Sequence, residues 1–164
     1  MPVTTGSIAV ISASPEATRR LGQAVGVHAA PGDTYLLLGD LGAGKTTFTQ
    51  GVLWGLGVPD HARSPTFVLI GEYRGRLTLY HMDLYRIESV ESLEDIGVDE
   101  YIYGDGVCVI EWADRAASLF PSDSMTISFE RLDDTTRRIS FATPASERYR
   151  RVLAAVRSAS ADAA

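Results

Sequence analysis

Apolar residues gather into short runs along this chain, and the runs alternate with stretches where they recur every three or four positions. SIAVIS (7–12), TYLLLG, TFVLIGEY, LTLYHMDLY and GVCVIEW are compact runs of the kind that form strands. Ser14-Pro15-Glu16 offers a helix start with Pro15 at the first helical position, and Ala17, Leu21, Ala24 and Val25 follow at helical spacing. Pro31-Gly32-Asp33 is a turn. A second helix is predicted from Thr46 to Leu56, with Phe48, Val52, Leu53 and Leu56 on one face and Gly57 as its C-cap. VPDHARSP is a polar link. The segment from Glu88 to Asp105 is acidic throughout and predicts one or two short helices with Leu93, Ile96, Val98 and Tyr101 turned inward. MTISFERL and TRRISFAT flank Asp133-Asp134 and predict a hairpin. A basic helix is expected from Pro144 to about Arg157, and residues 159–164 as a frayed tail.

Short apolar strands alternating with helices predict an α/β fold with a mostly parallel central sheet, flanked by helices and carrying antiparallel strands at one edge from the late hairpin. The chain has 164 residues, enough for a single domain with a sizeable core, taken as residues 1–158. Hydrophobic content of 45% and charged content of 22% argue against disorder of the whole chain. A formal net charge of -6 argues against a broad electrostatic grip on nucleic acid, so any RNA contact is expected to be local or made through a partner. The single cysteine, Cys108, excludes a disulfide framework within the chain and reads as a core residue. The apolar stretch near the N-terminus is short and lacks a basic region before it. No signal peptide and no membrane span are expected, and a reducing cytoplasm fits.

One stretch carries most of the chemistry. Gly39-Asp40-Leu41-Gly42-Ala43-Gly44-Lys45-Thr46 satisfies G-x-x-x-x-G-K-[ST], with an apolar strand before it and an amphipathic helix after it. Glycines let the backbone curl around a phosphate and turn successive N–H groups inward. The following helix aims its positive end at the same anion. Lys45, the only lysine beside fourteen arginines, reaches the outer phosphates, and Thr46 offers its hydroxyl to magnesium. Thr47 adds a further polar side chain at the helix start. The fold expected is thus that of a P-loop NTPase.

Such a site needs an acid on a neighbouring strand. Asp83 and Glu111 each end an apolar run, where α/β proteins bind ligands. One can hold magnesium or its waters while the other orients the attacking water, and which does which stays open. In Ser64-Pro65-Thr66, Thr66 is placed to act as a switch residue meeting magnesium and the outer phosphate. His81, two residues before Asp83, can position Asp83 or a water, or simply pack. Arg86 and Arg115 are candidates for stabilising phosphate charge, with an ion pair to the acidic segment the plainer reading for Arg86. Arg148, Arg150, Arg151 and Arg157 form a basic patch, read as a solvated helix face or a docking surface.

In order, GDLGAGKTTF, SPTF, HMDLYR and IEW resemble the bacterial TsaE (YjeE) family from about Thr18 to Trp112. The resemblance implies a cytoplasmic ATPase of tRNA threonylcarbamoyladenosine synthesis that acts with a TsaB–TsaD pair and meets tRNA only through that complex. It implies ATP and magnesium as cofactors, with Lys45 on the phosphates and Thr46, Asp83 and Glu111 at the magnesium and water site. Thr66 matches the family's switch-like segment, and Trp112 is expected at the nucleotide or partner surface. Ala113 departs from the proline that often follows I-E-W in the family, implying a less stiff loop.

Three other readings compete. A GTPase needs an N-K-x-D or T-K-x-D box, which a chain without a second lysine does not supply. A small-molecule kinase needs an arginine-bearing lid, whereas the stretch between Arg86 and Arg115 is acidic. A nucleotide-gated binding module with negligible turnover shares every motif above.

Overall fold

The computed structural model describes residues 6–59, 61–62 and 70–162. Seven strands and five helices follow in the order β1 (Gly6–Ser12), α1 (Pro15–His28), β2 (Thr34–Leu38), α2 (Lys45–Gly55), β3 (Ile70–Arg74), β4 (Thr78–Asp83), α3 (Val90–Asp95), α4 (Val98–Ile102), β5 (Val107–Glu111), β6 (Met125–Arg131), β7 (Arg137–Thr143) and α5 (Arg150–Asp162). A short 3-10 segment, Ala113–Leu119, joins β5 to β6.

The local signals hold where they are chemical. Ser14 caps α1, its side chain accepting from the Ala17 N–H at 3.1 Å, and Pro15 opens the first turn. Helix α2 ends as expected at Gly57, whose φ of 81° is left-handed. The Gly57 and Val58 N–H groups bond back to the carbonyls of Trp54 and Leu53, closing a Schellman motif. The hairpin also forms around Asp133: its Oδ1 accepts from the Thr135 and Thr136 N–H groups, and β6 pairs antiparallel with β7.

Among the described residues, all seven strands join one sheet in the order β1-β7-β6-β2-β5-β4-β3. The four central strands, β6-β2-β5-β4, run parallel. Antiparallel pairs flank them on both sides, so the sheet is mixed, with antiparallel strands at two margins and not one. The second margin is the β3–β4 pair, and the first strand of the chain crosses to the far edge beside the last.

Helices cover both faces. Leu21 and Val25 of α1, Phe48 and Val52 of α2 and Val156 of α5 pack on one side of the sheet. Leu93 of α3, Val98 and Ile102 of α4 and Ala116 pack on the other with Cys108 and Ile110. Burial raises the Cys108 thiol to about 12, as befits a core residue.

The first two helices approach backbone to backbone. A Cβ on Gly51 would lie 2.0 Å from the Arg19 carbonyl oxygen, and one on Gly22 2.1 Å from that of Phe48. Glycine at these positions is therefore a steric requirement. The close crossing ties α2, which begins at Lys45, rigidly to α1.

Two expectations need correction. Ile96 is exposed, because it sits at the C-terminus of α3 where the chain turns at Gly97; Ile102 fills the inward place instead. Helix α5 begins at Arg150, not Pro144, and runs to Asp162. Residues before it form turns held by Thr143 and Tyr149, with Tyr149 buried against β2. Of TFVLIGEY, only the part from Ile70 lies within the described residues.

Candidate functional site

The parallel strands β2, β4 and β5 end side by side, and their carboxyl ends carry the predicted site residues to one place. Asp83 and Glu111 are direct cross-strand partners in the β4–β5 register. β2 leads into the glycine loop, which returns through α2 along the same edge. This is the position where α/β sheets bind ligands.

The loop has the backbone its glycines were expected to permit. Gly39, Gly42 and Gly44 have φ of 155°, 79° and 107°. Gly44 is the N-cap of α2 in left-handed conformation, and its carbonyl accepts from the Phe48 N–H at 2.9 Å. Gly39 has a second reason to be glycine, since a Cβ there would meet the Phe129 carbonyl oxygen at 2.9 Å. Gly42, Gly44, Lys45, Thr46 and Thr47 form one wall of a cleft whose mouth is Leu41. Asp83 and Glu111 form its floor, with Tyr85 and Trp112 opposite. Gly39, Asp40 and Ala43 lie on the other side of the loop, along a groove shared with Phe129 and Glu130.

Lys45 is buried to 5% exposure and donates to the carbonyls of Gly39 and Asp40, the latter at 2.9 Å. Its ammonium also sits 4.1 Å from the centre of the Trp112 ring. Burial holds it below the usual lysine value, while the charges of Glu111, Asp83, Asp40 and Asp114 pull the other way.

Glu111 is only 3% exposed. Its carboxylate lies 3.3 Å from the Thr46 hydroxyl and 2.5 Å from His81 Nε2. His81 is therefore set on Glu111, not on Asp83, although it shares a strand face with both. A carboxylate oxygen accepts, so His81 donates from Nε2; its Nδ1 is buried with no hydrogen-bond partner among the described residues. Asp83 accepts instead from the Tyr85 N–H at 3.0 Å.

Trp112 is the only non-glycine with positive φ among the described residues, at 59°. That conformation is strained for a bulky side chain and recurs at functional sites. It brings the indole over Lys45 and within 5.0 Å of the Tyr85 ring, and Arg115 stacks over both aromatics. Arg115 thus sits over two aromatics of the cleft, whereas Arg86 is exposed and forms no ion pair with the acidic segment among the described residues. Ala113 is buried and opens the 3-10 turn directly after Trp112. Thr66 lies outside the described residues.

Two participants had no clear sequence signal. Tyr85 enters the cleft beside Trp112, and only its place after Asp83 hinted at that. Arg137 reaches the loop from β7, and nothing near it in sequence points there. The basic patch is also reduced: Arg148 binds Asp33 and the Pro31 carbonyl, and Arg150 pairs with Glu147.

Chemically, the cleft offers a glycine-loop backbone, one lysine, two threonine hydroxyls at the head of a helix and two carboxylates. Groups of this kind have the chemistry to meet a polyphosphate and a divalent cation. Among the described residues no three His, Cys, Asp or Glu side chains cluster as a protein-only metal site. Magnesium is normally held by one or two carboxylates together with substrate phosphates and waters, so Thr46, Glu111 and Asp83 fit it. No helix among the described residues is long and apolar enough to cross a membrane.

The model of the family described as "Threonylcarbamoyl adenosine biosynthesis protein TsaE" matches residues 12–139. A Treponema pallidum protein named tRNA threonylcarbamoyladenosine biosynthesis protein TsaE is 48% identical over 132 residues, covering 80% of this chain and 98% of that one. Its Bacillus subtilis namesake is 46% identical over 137 residues, covering 83% and 85%. The crystal structure of Bacillus subtilis YdiB superposes with a TM-score of 0.80 at 35% identity, covering 94% of this chain and 97% of that one.

Proposed function

The chain belongs to the TsaE family, and from that premise we propose that it binds ATP with magnesium in the glycine-loop cleft and hydrolyses it as an accessory subunit of threonylcarbamoyladenosine formation on tRNA. The observation that carries the reading is the meeting of Thr46 and Glu111 at 3.3 Å on the floor of the cleft that Lys45 closes. In this reading the single domain of residues 1–158 acts in the cytoplasm. It resets a TsaB–TsaD pair between turnovers and meets tRNA only through that complex.

The roles follow from the chemistry of each group. The loop amides and the N-terminal end of α2 take the phosphates. Lys45 exchanges the carbonyls of Gly39 and Asp40 for the outer phosphate oxygens, a stronger, charge-assisted contact. Thr46 with Glu111 or Asp83 would hold a magnesium ion, which would supply charge neutralisation to the phosphates. The remaining carboxylate orients the water that attacks the γ-phosphorus. The bond to the bridging oxygen breaks, and ADP and phosphate leave. Thr66 serves as the switch residue sensing the γ-phosphate.

The nucleotide-gated module keeps one supporting observation. Lys45 is satisfied by its own loop and by Trp112, so phosphate has to compete for it. Slow turnover by the chain alone follows from either reading, and partners separate them.

The test is phosphate release from ATP, alone and with the matching TsaB and TsaD proteins. Release that rises sharply with both partners and is lost in Lys45→Ala, by about a thousandfold or more, is expected. Turnover indifferent to the partners removes the coupled role. Unchanged turnover in Lys45→Ala removes the site itself. Partner binding to the ATP-loaded chain without stimulation leaves the gated module.

A further inference from the structure

A loop that turns its amides inward turns carbonyls outward, and each of those needs a donor. Lys45 takes two of them, Gly39 and Asp40. Two more, Gly42 and Ala43, are met by a residue far along the chain. Arg137 Nε donates to the Ala43 carbonyl at 3.1 Å, and Nη2 approaches that of Gly42 at 3.4 Å. On its other side the same guanidinium donates from Nη1 to the carbonyls of Asp133 and Thr136, at 2.8 and 3.1 Å.

We propose that Arg137 is a positioning residue that holds the phosphate-binding loop in its curl from behind, and thereby sets the affinity for the nucleotide polyphosphate. The inference rests on the nucleotide reading of the preceding section for its ligand. Its structural half stands alone.

Three observations carry it. First, Arg137 forms no ion pair among the described residues; its hydrogen bonds all go to backbone carbonyls. Second, its anchorage is firm. It is the first residue of β7, paired to both Ser12 and Arg131, and the turn it grips is braced by Asp133 and by the Arg131–Asp134 pair. Third, the hairpin touches the loop again at Gly39, where Phe129 leaves no room for a Cβ. The hairpin is thus a backing plate for the loop, and Arg137 is the fastener.

Only a planar fork can join two loop carbonyls to two turn carbonyls at once. A lysine at this position keeps the charge but offers a single point of attachment. The inference therefore separates fork geometry from bulk charge.

The experiment compares Arg137→Lys and Arg137→Met with wild type. Magnesium-ATP and tripolyphosphate are titrated by calorimetry, and amide exchange is followed in the protein without nucleotide. Both variants are expected to bind magnesium-ATP and tripolyphosphate about tenfold more weakly, the equivalent of one lost charge-assisted hydrogen bond. Exchange at residues 40–44 quickens in both, while the amides of β5 keep their protection. Wild-type affinity in Arg137→Lys overturns the proposal in favour of charge alone. Faster exchange confined to residues 132–136 also overturns it, because Arg137 then staples only its own turn. If Arg137→Met does not fold, Arg137→Lys decides alone. If wild type binds neither ligand, the nucleotide reading falls, and loop exchange still judges whether Arg137 holds the curl.

Discussion

Two carboxylates sit at opposite ends of β2 and β5 with almost equal burial, Asp33 at 2% exposure and Glu111 at 3%. Asp33 lies just before β2, at the amino end of the parallel strands. Its oxygens accept from the Ala30 N–H at 2.9 Å, the Tyr35 hydroxyl at 2.8 Å and Arg148 Nε at 3.2 Å. Beside it the Tyr149 hydroxyl accepts from the Thr34 N–H and donates to the Thr34 carbonyl. Glu111 has a short contact to His81, a long one to Thr46, and a cleft in front of it.

The difference shows what burial of an acid means in each place. Around Asp33 the partners close the network, and the result is a clasp between β2 and the turn before α5. Burial still raises the Asp33 carboxyl above its usual value, against the hydrogen bonds and the Arg148 charge that lower it. Around Glu111 one side is fixed by His81 and the other is left to a hydroxyl that a magnesium ion can claim. A closed network holds the fold together; an open one is available for chemistry.

The contrast can be broken most forcefully at Glu111. Glu111→Gln keeps size and hydrogen bonding but removes the charge, and turnover should fall about a hundredfold or more while nucleotide binding and thermal stability change little. Steady-state phosphate release and calorimetric binding read this directly. Full activity would move the role to Asp83. Asp33→Ala should do the reverse, costing about 2 kcal/mol in urea unfolding by leaving the Tyr35 hydroxyl and the Ala30 N–H unpaired and Arg148 without its carboxylate, with turnover per folded molecule unchanged. A loss of turnover there would mean that the two ends of the sheet are coupled.

The smallest effect is a pH dependence. A raised carboxyl value means that the folded chain binds more protons than the unfolded one. Asp33 therefore contributes stability below about pH 4 that is lost as pH rises through its folded value. The difference in unfolding free energy between wild type and Asp33→Ala should shrink across that window. A difference that grows would show that the ion pair with Arg148 outweighs burial.

Much of the site was legible because its chemistry is local. A tight glycine loop between a strand and a helix needs particular residues at adjacent positions, so Gly39 to Thr46 announces itself, as do the caps at Ser14 and Gly57. Acids at the ends of apolar runs were also readable, since strand direction alone puts Asp83 and Glu111 outside the sheet. The limits of locality show at Ile96, where an apolar residue in an amphipathic segment fell at a helix end and faces solvent.

By itself, then, the sequence determined the loop, the order of strands and helices and the residue types at the cleft, because each depends on neighbours along the chain. Tertiary structure alone decided that β1 pairs with β7, that Gly22 and Gly51 sit against carbonyls of the opposing helix, that His81 serves Glu111, and that Arg137 reaches the loop. Each of these joins residues far apart in the chain, so its partner is chosen by sheet order and helix crossing, which no local pattern encodes.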